Sequence, residues 1–125
     1  MCKVVVIMTA NTIEKVLSSI KKNLDVDDVT LISRSGMHIG GDVPDNAHME
    51  TFVAMSAILL GAAETATSEL DEELSHVVVE LKNSRVLVMN NGPSALLAIK
   101  MSQDKDIDAV LEGIKEPTNE LKELL

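Results

Sequence analysis

The sequence predicts an α/β/α sandwich, in which a five-stranded, mainly antiparallel sheet carries helices on both faces. Three observations carry that prediction. First, three short apolar runs follow a long helical stretch, and Asn83-Ser84 and Asn91-Gly92-Pro93 separate them. These are tight-turn sequences, so neighbouring strands run antiparallel. Second, the last of those runs, residues 94–102, is apolar on both faces, with Leu97 and Ile99 on one and Leu96 and Ala98 on the other. A strand of that kind lies centrally in a sheet covered twice. Third, the long helical stretch separates two strands from the next three, so it must cross one face of the sheet.

Taken in order, the first confident element is a helix. Ile13, Val16, Leu17, Ile20 and Leu24 repeat at i, i+3, i+4, i+7 and i+11, which forms one apolar stripe. Asn11 is the candidate cap, Glu14 follows three positions later, and Lys21-Lys22 suit the negative end of the helix dipole. Ahead of Asn11, residues 4–8 read either as a short strand or as an extension of this helix, and Met8 is an alternative start. Residues 29–34 read as a strand, turned at Ser35-Gly36 into residues 37–41. Pro44 lacks a donor and biases Val43 away from helix, which makes residues 42–45 a loop. Asp45 or Asn46 then caps a long helix running to about Asp71.

Strands are expected at residues 74–82, 85–90 and 94–102. Ile107, Val110, Leu111 and Ile114 make a short amphipathic helix. Pro117 interrupts it, and Thr118 can cap a last turn or two carrying Leu121, Leu124 and Leu125. The chain reads as a single domain over residues 1–125, with a core from about 11 to 114.

Composition narrows the function. Net charge is −9, from 11 Lys and Arg against 20 Asp and Glu, which opposes non-specific binding to nucleic acid. No apolar run approaches the roughly 20 residues that span a bilayer, so membrane insertion is not expected. Cys2 is the lone cysteine; it excludes an internal disulfide and fits a reducing, cytoplasmic setting.

The long helix is the unusual element. Residues 52–63 carry no charge. Met49, Phe52, Leu59, Ala63, Ala66 and Leu70 fall on one side of a helical wheel, flanked by Met55 and Leu60. Ala54, Ala57, Ile58, Gly61 and Thr65 form a second, smaller apolar stripe opposite. An ordinary surface helix has one apolar stripe and one wet face. Two faces need two covers: either the chain's own termini or a second chain. A twofold dimer, with the same stripe of two protomers face to face, is the favoured reading.

Catalytic constellations are missing from the pattern. There is no G-x-x-x-x-G-K-S/T loop, and Gly36, Gly40 and Gly41 belong to a hairpin, where turn geometry accounts for them. His38, His48 and His76 are scattered, without metal-ligand spacing. Ser33, Ser35 and Ser56 have no nucleophile-elbow context, and the Ser56 hydroxyl is expected to return to a backbone carbonyl. Neither an enzyme nor a cofactor site is expected.

Arg34-Ser35-Gly36-Met37-His38-Ile39-Gly40, the long helix with its Ala54-x-x-Ala57 core, and Val77-Val78-Val79-Glu80-Leu81 together resemble the roadblock/dynein light chain family. The likeness spans roughly residues 11–114, with Ser35 where an aspartate is common before the turn glycine. The resemblance implies a non-enzymatic module that dimerises through the long helix and an edge strand. It implies a partner too: a small Ras-like GTPase, as for MglB-like activators, with a subunit of a larger complex as the alternative. By carry-over the dimer seam comprises Ala54, Ala57, Ile58, Gly61 and Thr65, with Val77 and Val79 of the strand. Family regulators can act without an arginine finger, by repositioning the GTPase's own residues. Here Arg34 and Arg85 are the only arginines, both near strand ends.

Overall fold

The computed structural model describes residues 3–125. Cys2 lies outside the described residues. The first helix, α1 (Lys3–Leu24), begins well before Asn11, so residues 4–8 extend the helix and Asn11 sits inside it rather than capping it. A short hairpin follows, β1 (Asp28–Ser33) and β2 (His38–Gly41), and then α2 (Met49–Thr67). Three strands come next: β3 (His76–Glu80), β4 (Ser84–Asn90) and β5 (Ala95–Ser102). Two short helices close the chain, α3 (Ile107–Gly113) and α4 (Lys115–Leu124).

The five strands form one sheet in the order β2-β1-β5-β4-β3, and every neighbouring pair is antiparallel. β5 is the central strand, as its two apolar faces predict. Ala95, Leu97, Ile99 and Met101 point into a core shared with Ile13, Leu17 and Ile20 of α1, Val110 of α3 and Leu121 of α4. Leu96 and Ala98 point the other way, into a core with Ile32, Val88, and Val53 and Leu60 of α2. Three helices therefore cover one face and α2 alone covers the other, which gives the α/β/α sandwich. A buried Leu or Ile contributes about 1.5–3 kcal/mol, and β5 supplies such residues to both cores.

Three further helix boundaries differ from the sequence expectation. Asn46 adopts a left-handed φ of 69°, which keeps it in a turn. α2 therefore starts at Met49, with His48 as its N-cap and no side-chain cap bond. α2 also ends at Thr67 rather than near Asp71, whose own φ is 58°. Pro117 starts a helix rather than ending one: it lies in the first turn of α4, where a missing N–H costs nothing. Thr118 is buried inside that helix, with its hydroxyl donating to the Lys115 carbonyl at 2.9 Å, and is not a cap. At 19 residues, α2 is long and apolar enough to span a bilayer by length and composition, but here one side of it packs on the sheet.

Candidate interaction surface

Among the described residues, α2 packs on one side, against the sheet, the hairpin tip at Gly36 and the flanking loop residues Val43 and Leu74. Val53, Ser56 and Leu60 sit against the strands, and Leu60 is fully buried. Ser56, polar yet buried, donates its hydroxyl to the Phe52 carbonyl at 2.7 Å, as expected of a serine inside an apolar helix. The opposite ridge is bare: Ile58 is 59% exposed, Met55 53% and Leu59 36%. Large apolar side chains at that exposure, clustered on one helix, make this ridge the candidate interaction surface.

The sequence-predicted seam residues divide between two positions. Ile58 and Thr65 lie on the bare ridge. Ala54 and Ala57 are half-buried. A Cβ at Gly36, the hairpin tip, would stand 3.1 Å from the Ala54 Cα, and Ala57 packs against the second core. Gly61 is half-buried, and among the described residues nothing lies within 4 Å of where a Cβ would stand. Val77 and Val79 are half-buried on β3, which pairs only with β4 among the described residues.

Sequence reasoning missed Met55 and Leu59 as ridge residues. They lie on the β3 side of α2 and, with Phe52, Val79, Leu81 and Val86, line an apolar groove of about 600 Å³ between helix and sheet edge. Met55 and Leu59 thus belong to both the bare ridge and the groove, whose other wall includes Val79 of β3.

A polar site stands at the other end of α2. Arg34, at the end of β1, donates to the Asn90 side-chain oxygen at 2.7 Å and pairs with Glu64 of α2. Asn90 in turn donates to Glu64 at 3.1 Å, so hairpin, helix and β4 are tied together. The Arg34 hydrogen bond, helped by Asn90, holds the Glu64 carboxyl below its ordinary value. A carboxylate with a depressed folded-state pKa stabilises the fold above its unfolded pKa, and that contribution disappears as pH falls through the folded value. Glu64→Gln should therefore lower stability at pH 7 by about 1 kcal/mol, the size of one such bond. The difference from wild type should shrink as pH drops below 4.5, as read from urea midpoints across a pH series. Arg85 is likewise engaged: its Nε lies 2.9 Å from Glu80 and it donates to the Lys105 carbonyl at 3.3 Å. Both arginines serve the chain's own fold.

The histidines stay apart. His38 contacts the Gly41 carbonyl and His76 the Ser75 hydroxyl, each at 2.8 Å. Among the described residues, no group of three His, Cys, Asp or Glu is arranged to hold a metal.

Comparison with known proteins settles the family. The Roadblock/LC7 domain family matches residues 12–101. The chain belongs to that family. An uncharacterised protein of Methanocaldococcus jannaschii is 25% identical over 93 residues, which is 74% of this chain and 79% of that protein. Among solved structures, the gliding protein MglB of Thermus thermophilus superposes with a TM-score of 0.81 at 17% identity, covering 93% of this chain and 90% of that one. MglB of Myxococcus xanthus gives the same score and identity, covering 90% and 94%. An MglB with a tetrameric arrangement gives 0.82 at 17%, covering 93% and 89%. At these identities the structural likeness establishes the Roadblock/LC7 fold.

Proposed function

We propose that this Roadblock/LC7 protein is a non-enzymatic, cytoplasmic homodimer that binds and regulates a small Ras-like GTPase. The observation that carries the reading is the exposed apolar ridge of Met55, Ile58 and Leu59, with the groove beside it and the edge of β3, which pairs only with β4 among the described residues. A helix ridge beside an unpaired strand suits a twofold partner, which adds its own strand to the edge and its own helix to the ridge. Stable interfaces bury about 800 Å² per partner; a chain with 7799 Å² of surface gives up roughly a tenth of it. The seam is centred on Ile58, with Met55, Leu59 and Thr65 of α2 and Val77 and Val79 of β3. Ala54, Ala57 and Gly61 flank it on the hairpin side.

The engaged state of Arg34 and Arg85 favours a regulator that repositions a GTPase's own groups over one that inserts an arginine. The test is binding to a Ras-like GTPase encoded beside this chain, loaded with GDP or with a non-hydrolysable GTP analogue, with GTP hydrolysis followed in parallel. Binding that differs at least tenfold between the nucleotide states is the expected result. Equal or absent binding by a dimeric protein supports the alternative, a scaffold or accessory subunit without GTPase contact.

A further inference from the structure

Asn91 is fully buried, yet neither its side-chain oxygen nor its side-chain nitrogen has a hydrogen-bond partner among the described residues. Buried amides are nearly always paired, because an unmade bond in the interior leaves the whole desolvation cost standing. The strand fixes where this amide points. Side chains alternate along β4, so Asn90 turns to Glu64 of α2. Asn91, just past the strand end, shares the face of Leu87 and Met89. That face belongs to the core of α1, α3 and α4. α4 is the element over the turn, where the Lys122 Cγ lies 3.3 Å from the place a Gly92 Cβ would take.

α4 is held there by few groups. Its buried residues are Thr118 and Leu121, and Leu124 packs in part against the core. The Thr118 hydroxyl bonds within the helix, and Lys115 pairs with Glu112 of α3 at 2.8 Å, so neither ties α4 to the sheet. The far end, Leu125, is exposed. The near end is fixed. Ile114 closes α3 and opens α4 while buried, Val110 is buried beside it, and a Cβ at Gly113 would stand 2.5 Å from Leu24 of α1. The Roadblock/LC7 match covers residues 12–101 and so stops before both helices.

From these contacts we infer that α4 is a strap that opens about Ile114 while the sheet and the other helices stay in place, and that Asn91 sets how often it opens. Opening gives the Asn91 amide to water, which offsets part of the cost of exposing Leu121. Units that bury few apolar groups open in this way below the free energy of global unfolding. The other face of the sheet is affected as well. Lys122 lines a cleft of about 620 Å³ with Arg34, Glu64, Glu72 and Glu73, so opening withdraws a positive charge from it. α4 thereby controls, from the α1 side, the charge of a cleft on the α2 side.

Hydrogen–deuterium exchange on the whole chain reads the strap, on wild type, Asn91→Leu and Asn91→Ala, each first checked for wild-type circular dichroism. In the wild type, amides of residues 118–124 are expected to be at least about 100-fold less protected than those of residues 95–101, the mark of a unit that opens locally. Asn91→Leu, similar in size and free of polar side-chain atoms, should slow exchange in α4 by at least about tenfold, the scale of one unmade buried hydrogen bond. Asn91→Ala removes the amide without adding bulk and should slow it less. Equal protection of residues 118–124 and 95–101 in the wild type would overturn the strap. Exchange in α4 that is unchanged or faster in both variants would overturn the role of Asn91.

Discussion

Ile58→Asp should abolish self-association while leaving the fold in place. Ile58 is 59% exposed on the bare ridge, so its loss costs the monomer little, within the roughly 0.5 kcal/mol typical of surface changes. In the proposed dimer the same position sits at the centre of the seam, where an unpaired aspartate must be desolvated against apolar side chains. A buried, uncompensated charge costs about 3–5 kcal/mol, and each 1.4 kcal/mol is about tenfold in affinity. Dimer dissociation should therefore rise by more than about 100-fold, with circular dichroism and thermal midpoint little changed at concentrations where the variant is monomeric. Sedimentation velocity over a concentration series reads the shift. A variant that remained dimeric would place the seam elsewhere on the molecule.

Gly41→Ala should have the opposite profile, with severe loss of fold. Gly41 ends β2 with a φ of 82°, and a Cβ there would lie 2.0 Å from the Val29 carbonyl oxygen, which is backbone of the neighbouring strand. The left-handed conformation alone costs a non-glycine residue about 1–2 kcal/mol, and the clash forces β1 and β2 apart. That separation would also disturb the Asp42 N–H bond to the Val29 carbonyl at 3.0 Å and the Gly41 N–H bond to Glu14 of α1 at 2.9 Å. A loss of about 3 kcal/mol or more in urea unfolding is expected, a large share of the 5–15 kcal/mol that holds a domain together. Gly61→Ala is the control. It has open space at its Cβ and should gain about 0.5–1 kcal/mol in the monomer from helix propensity.

How much of this was legible in the sequence depended on how unevenly each segment spread its apolar residues. β5 announced itself, because Leu96, Leu97, Ala98 and Ile99 cannot all face one core. The stripe of Ile13, Val16, Leu17 and Ile20 likewise gave α1 its orientation, and all four are buried. α2 was legible as a helix but not in its rotation. Met, Leu, Ile and Ala occupy nearly every direction around it, so the wheel yields two apolar sides without saying which meets the sheet. The structure seats it on Val53, Ser56 and Leu60, between those two sides, and so exposes Met55 and Leu59 beside Ile58.

The boundary differences have local causes. Asn11 is a good cap sequence inside a helix that the preceding residues continue, and a cap signal cannot declare itself unused. Asn46 takes a left-handed turn that asparagine tolerates, which shifts the start of α2 to Met49. Pro117 reads equally as a stop or a start, and only the packing of Thr118 and Leu121 on the core shows it to be a start. The Arg34–Glu64–Asn90 site was not legible, since its members come from three elements far apart in sequence.

In the proposed dimer a second copy of this chain covers the bare face of α2 and the β3 edge. Light scattering coupled to size exclusion tests it most directly, on the wild type and Gly61→Leu side by side at about 10–100 μM, the range where a micromolar dimer is populated. The expected result is a wild-type mass of twice the 13.5 kDa of one chain, reduced towards a single chain by the bulky leucine on the flank of the seam. A wild-type mass of 13.5 kDa throughout that range would show that the chain is a monomer and that no second copy covers this face.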